Sequence, residues 1–177
     1  MLNIERIVDE FFKENGLETR LSFNMPIGYE TAFGTYDVTI NTLFFNNDML
    51  SEAPEFETLF FLFHELRHAL QYNFPEKFDR EIQESLPYVI LYDGTCFKLS
   101  DNLWQQCTID GTDDYLETVY KSLPYEIDAN RFAYEKTKGL CGDIAELKEI
   151  ADLFLPRNPM HPAELKEIFK QIDEKLK

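Results

Sequence analysis

Two histidines four residues apart, with a glutamate beside the first, are the residues of this chain best suited to chemistry: His64-Glu65-Leu66-Arg67-His68. On a helix, side chains at i and i+4 lie one above the other, so both imidazoles can share one cation. Neutral imidazoles leave the cation's charge nearly intact. The ion can then polarise a carbonyl and lower the pKa of a bound water towards ~7. Glu65 is turned about 100° from His64, so its carboxylate can reach that water and take its proton without being a ligand.

Such a site needs a third protein ligand and leaves one position open for water. Gln71 and Phe74 stand where a third histidine further along the same segment would fall. The better candidate is Glu126, in Pro124-Tyr125-Glu126-Ile127-Asp128-Ala129-Asn130-Arg131-Phe132-Ala133. Glu126, Ala129, Asn130 and Ala133 share one helical face, and two alanines beside a carboxylate allow close approach to the histidine helix. Asn130 can hydrogen-bond a ligand and hold its orientation. The bland reading of Glu126 is a first-turn acid that complements the helix dipole. Asp128, Asp113, Asp114 and His161 remain as alternative ligands.

These two motifs carry a family resemblance. His64-Glu65-x-x-His68 followed by Glu126-x-x-Ala129-Asn130-x-x-Ala133 resembles the gluzincin metallopeptidases. The second motif is similar to the corresponding helix of the CAAX-prenyl-protease-like membrane peptidases. It is also similar to that of the ImmA/IrrE-type phage and stress-response peptidases, down to Phe132. The resemblance implies a zinc peptidase in which His64, His68 and Glu126 bind Zn2+ and Glu65 is the general base. It covers few residues. The chain lacks the membrane helices of the first group, and its 57 residues between His68 and Glu126 exceed the usual spacing of the second. Gly111-Thr112-Asp113-Asp114 is similar to the Gly-Thr-x-Asp of aspartate-ligand zincins, but Glu117 and Thr118 replace the Tyr-Gly that should follow.

The elements that must position these residues are legible from periodicity. A helix is expected over about Ile4 to Glu14, capped by Gly16. Short extended pieces follow from Leu17 to Asn46, with Leu21 and Phe23, then Tyr36, Val38 and Ile40, alternating with polar residues. The stretch Gly34 to Asn46 is either an edge strand that holds a substrate backbone or a plain hairpin closing the core. The histidine helix should run from Pro54 to Tyr72, with Leu59, Leu62, Phe63, Leu66 and Leu70 as its apolar stripe and both histidines on the opposite face. A second helix is expected from Pro75 towards Leu91, bent at Pro87. A hairpin around Ser100-Asp101-Asn102 and helices near 113–121, 124–137, 142–154 and 162–175 complete the chain. The order indicates one α+β domain over residues 1–177, a small mostly antiparallel sheet packed on the metal helix with further helices.

Composition limits the partners. The net charge of −16 repels phosphate backbones, so nucleic acid is excluded and a peptide or protein substrate fits better. No apolar run approaches the roughly 18 residues of a membrane span, and no signal peptide opens the chain, so a cytoplasmic protein without a membrane partner is expected. Cys96 and Cys107 can pair across the hairpin, though buried reduced thiols fit that location better. Tyr92, Tyr115, Tyr120, Tyr125 and Arg131 are possible oxyanion donors, none assigned. The function expected is metal-assisted peptide hydrolysis. The alternative is a zinc-binding module that has lost turnover and holds an extended partner chain.

Overall fold

A computed structural model describes residues 2–177. The first helix, α1 (Ile4–Asn15), buries Val8, Phe11 and Phe12 and ends at Gly16, whose left-handed φ of 68° suits glycine. Three short strands follow: β1 (Arg20–Ser22), β2 (Gly34–Asp37) and β3 (Thr42–Phe45). β3 lies in the middle, parallel to β1 and antiparallel to β2. β2 is therefore an edge strand. The expected alternation through Val38 and Ile40 does not continue as strand, because residues 38–41 turn the chain, with Asn41 at a φ of 45°.

A short helix, α2 (Asn47–Glu52), precedes α3 (Glu55–Asn73), which carries both histidines. The spacing of its leucines predicts one apolar stripe on α3 and an opposite polar face. The structure buries far more of it: Thr58, Phe60, His68, Ala69 and Gln71 are covered as well as the leucines. It is the central helix, packed against β2, β3, α1 and further helices, so its histidine face meets protein too.

The helix expected from Pro75 to Leu91 is three pieces: a 3-10 turn (Pro75–Lys77), α4 (Arg80–Ser85) and a strand, β4 (Tyr88–Ile90). Pro87 has no N–H to extend the helix, and an aromatic and two β-branched residues follow it. The Pro87 carbonyl instead accepts from Leu99 N at 2.8 Å, which ties it into a sheet. That sheet is antiparallel, ordered β4–β5–β6, with β5 (Thr95–Ser100) and β6 (Leu103–Thr108) forming the expected hairpin. Asp101 and Asn102 make its turn, at φ of 50° and 59°.

The last helices are α5 (Asp113–Ser122), α6 (Pro124–Cys141), α7 (Ala145–Phe154) and α8 (Pro162–Lys175). The fold is α+β. One apolar cluster joins α1, β3, α3, α6 and α7; a second joins the β4–β5–β6 sheet to α5 and α8. Among the described residues, no helix is long and apolar enough to cross a membrane.

Candidate metal centre

α3 and α6 pack face to face over fully buried Ala129 and Ala133. With no side chain beyond Cβ at these positions, α6 lies close enough for Glu126, in its first turn, to reach the histidines. His64 Nε2 and His68 Nε2 are 2.9 Å apart. His64 Nε2 is 3.4 Å from Glu126 Oε2, and His68 Nε2 is 3.7 Å from Glu126 Oε1. Donors about 2.0–2.1 Å from one tetrahedral ion stand about 3.3 Å from each other. Each histidine stands within a few tenths of an ångström of that spacing from the other and from its nearer Glu126 oxygen, and one ligand atom of each residue lies within 4.8 Å of the others. All are largely buried, and this His-His-Glu group can hold a metal ion.

The alternative ligands lie elsewhere or are otherwise engaged. Asp128 accepts from Arg67 Nε at 2.7 Å and Nη2 at 3.0 Å. Asp113 and Asp114 are exposed in the first turn of α5. His161 caps α8, its Nδ1 accepting from Ala163 N at 3.2 Å.

A polar network behind the site went unnoticed in the sequence. Gln71, fully buried, donates through Nε2 to the Tyr125 carbonyl at 2.9 Å and to Asp128 Oδ2 at 2.8 Å. Its Oε1 must then accept, and His68 Nδ1 donates to it at 2.8 Å. This fixes the His68 ring and aims Nε2 at the shared point. The Arg67 guanidinium anchors the network between the Phe78 and Phe132 rings, 4.6 Å from each centroid. On the other histidine, Nδ1 of His64 is buried without a hydrogen-bond partner, as are Asn130 Oδ1 and Glu126 Oε2. Asn130 favours the charged form of His64 without making a well-formed hydrogen bond to it.

Charge is distributed unevenly over the group. Burial, then the charge on His68, push His64 down to about 4, against the pull of Glu126 and Asn130. Burial also opposes a charge on His68, but Glu126, Glu65 and Gln71 outweigh it and hold that imidazole up at about 9. Burial raises Glu126, yet His68, His64 and the nearby Tyr120 hydroxyl prevail and keep its carboxyl below the ordinary range. These opposed shifts favour the proton on His68 across the 2.9 Å contact between the two rings.

Glu65 sits beside this group and under the edge strand. Burial pushes its carboxyl up to about 7; His68 and the Tyr36 backbone N–H pull against that, and Glu126 adds to it. The strand's hydrogen-bond alternation explains the Tyr36 contact. Asn46 N donates to the Phe33 carbonyl at 2.9 Å, so Phe33, Thr35 and Asp37 face β3 while Gly34 and Tyr36 turn their backbone groups outward. Gly34 also permits the close approach. A Cβ there would stand 2.8 Å from the Phe45 ring and 3.0 Å from Glu65 Cγ. A side-chain lock holds β2 to α3: Asn73 Nδ2 donates to the Tyr36 hydroxyl at 3.0 Å, and that hydroxyl donates to Asn41 Oδ1 at 2.8 Å.

Aromatic groups flank the centre. Tyr29 and Tyr92 are both about half exposed. Burial raises each, followed by Asp37 and Glu65 at Tyr29 and by Glu126 and Glu117 at Tyr92, the latter reaching about 12. Tyr92 and Tyr120 pack with ring centroids 4.4 Å apart. Of the possible oxyanion donors, Tyr120 and Tyr92 therefore lie near the group. Tyr125 is committed to the Tyr88 carbonyl at 3.0 Å, and Tyr115 lies on α5 with its ring partly exposed.

No protein-family model matches the chain, and no curated protein or solved structure matches it either.

Proposed function

We propose that the chain is a zinc-dependent hydrolase of the zincin type, a peptidase in which His64, His68 and Glu126 hold Zn2+ and Glu65 is the general base. The observation that carries this reading is the placement of Glu65. It is a carboxylate beside a His-His-Glu group yet outside it, held near about 7 and lying under an outward-facing strand amide. Zinc at the group would polarise the scissile carbonyl and make a water acidic. Glu65 would take the proton from that water and pass it to the leaving amine, a task open to a carboxylate beside the group but outside its ligand set. The outward N–H and C=O groups of Gly34 and the outward carbonyl of Tyr36 pair with the substrate backbone as an added strand, while the Tyr36 N–H holds Glu65. The Tyr120 hydroxyl lies beside Glu126 at the group and is the candidate donor to the developing oxyanion. An acidic chain that holds its substrate by main-chain pairing favours an extended, basic peptide.

Two measurements test this. Elemental analysis of protein purified without added metal should give one zinc per chain, and Glu126→Ala should lose it. Glu65→Gln should keep the zinc and abolish hydrolysis of a peptide library. Zinc with no hydrolysis in the wild type would replace the peptidase with a binding module. A chain without zinc, unchanged by dialysis against zinc, ends both readings.

A further inference from the structure

Cys96 and Cys107 lie outside the metal centre and take no part in the chemistry above. They are direct partners in the β5–β6 ladder. Ile109 N donates to the Gly94 carbonyl at 2.9 Å, which makes 94 and 109 a hydrogen-bonded pair. Counting on by two along each strand, 96 and 107 are also a hydrogen-bonded pair, for which Cα atoms stand about 5.5 Å apart. That separation lies inside the range spanned by disulfides, about 4.4–6.8 Å, and the opposed Cβ atoms, about 5.5 Å apart in such a pair, must close by about 1 Å to reach a disulfide's spacing. Opposed residues of a ladder project from the same face, so the two thiols are neighbours.

We propose that Cys96 and Cys107 are a reactive dithiol that closes to an intramolecular disulfide, with a low-molecular-weight disulfide as the electron acceptor. The two thiols are unequal. Cys96 is fully buried among Ile90, Leu116 and Val119, its Sγ donating to the Gly94 carbonyl at 3.4 Å. Cys107 is partly exposed. Cys107, as thiolate, attacks one sulfur of the small disulfide and releases the other half as a thiolate. Cys96, as thiolate, then attacks Cys107 Sγ and expels the second half. Two S–H bonds are lost and one S–S bond forms. Two protons pass to the two released thiolates or to solvent, and the acceptor is reduced to two thiols. Burial and the nearby Cys107 push the Cys96 thiol up to about 12, so the second step is the slow one at neutral pH. The hairpin tip reaches the turn after the edge strand, where Asn102 Nδ2 donates to the Thr39 carbonyl at 3.4 Å, so closure stiffens a hairpin that touches that turn.

Cys141, at the end of α6 and packed with the other apolar cluster, is the internal control. The full chain is incubated with oxidised glutathione, quenched with acid, and analysed by intact mass and peptide mapping under non-reducing conditions. The expected result is a monomer lighter by two hydrogens, linked between Cys96 and Cys107, with titratable thiols falling from three to one as Cys141 stays free. Cys107→Ser should keep both remaining thiols under the same treatment. A stable glutathione adduct on Cys107, a disulfide-linked dimer through it, or three thiols persisting at a glutathione potential that oxidises ordinary protein dithiols would each overturn the proposal.

Discussion

The zinc proposed for this site would have to displace a proton from His68, and the charges around the two imidazoles set the size of that competition. In the metal-free chain, His68 is held up at about 9 by its carboxylate neighbours, whereas His64 is pushed down to about 4 and is neutral. Zinc binds only the neutral imidazole. At about pH 7, roughly one His68 in a hundred is neutral, which weakens binding about a hundredfold relative to alkaline conditions. The His68 proton alone should therefore make apparent zinc affinity rise about tenfold per pH unit from about pH 7 to 9, and it contributes nothing beyond. His64 adds nothing to the slope in that window, because its own proton is gone by about pH 5. Stability of the metal-free fold moves the other way. A folded-state pKa raised above the ordinary 6.5 stabilises fully below that value, and the contribution is lost as pH rises through about 9. Competition with a chromophoric chelator across this range gives the slope. Calorimetry in two buffers of different ionisation heat counts the protons: the His68 proton is released near pH 7 on top of any share from Glu65 and from water on the ion, and the count falls by about one by about pH 9.5. An affinity flat from about pH 7 to 9, or a proton count that does not fall by about one over that range, would refute the assignment of one charged and one neutral imidazole.

Gln71→Leu removes the acceptor that fixes His68 Nδ1 and should weaken zinc binding about 10–100-fold in the same chelator assay; unchanged affinity would mean that the network does not orient the ring. Gly34→Ala places a methyl 2.8 Å from the Phe45 ring and 3.0 Å from Glu65 Cγ, and should cost about 1–3 kcal/mol in urea denaturation while lowering turnover. Leu66→Ala empties a fully buried position on α3 and should cost about 2–5 kcal/mol, with zinc per folded chain still near one by elemental analysis.

The parts of this site read from sequence are those set by local geometry. His64 and His68 share a helical face through spacing alone, and Glu126 stands out because two alanines follow it on its own face. The parts that were missed depend on contacts between distant segments. Gln71 meets Asp128 and the Tyr125 carbonyl across more than 50 residues, and Asn73 meets Tyr36 across 37. No periodicity encodes either contact. The misread stretch after Pro75 has a local cause: helical spacing runs through Ile82 and Leu86, but Pro87 and the β-branched pair behind it redirect the chain into a sheet. The strand that covers Glu65 was left open because an edge strand and a closing hairpin have the same sequence pattern, and only the order β1–β3–β2 makes β2 an edge.

A purely structural role for the His-His-Glu group is a poor account of its energetics. A buried polar cluster that exists to hold a fold together satisfies its members, since each unpaired buried group costs about 1–3 kcal/mol. Behind the site this is so: Gln71, Asp128 and Arg67 are bonded to one another and to the backbone. At the site it is not. His64 Nδ1, Glu126 Oε2 and Asn130 Oδ1 are buried without partners, a charge on His68 disfavours one on His64, and Glu65 is driven towards its neutral form. Apolar side chains in these positions would extend the surrounding core at lower cost. The contrast between a satisfied outer network and a strained inner group is what a cation would resolve. It would accept the Glu126 oxygen, replace the proton on His68, and draw the Glu65 carboxyl back towards its charged form.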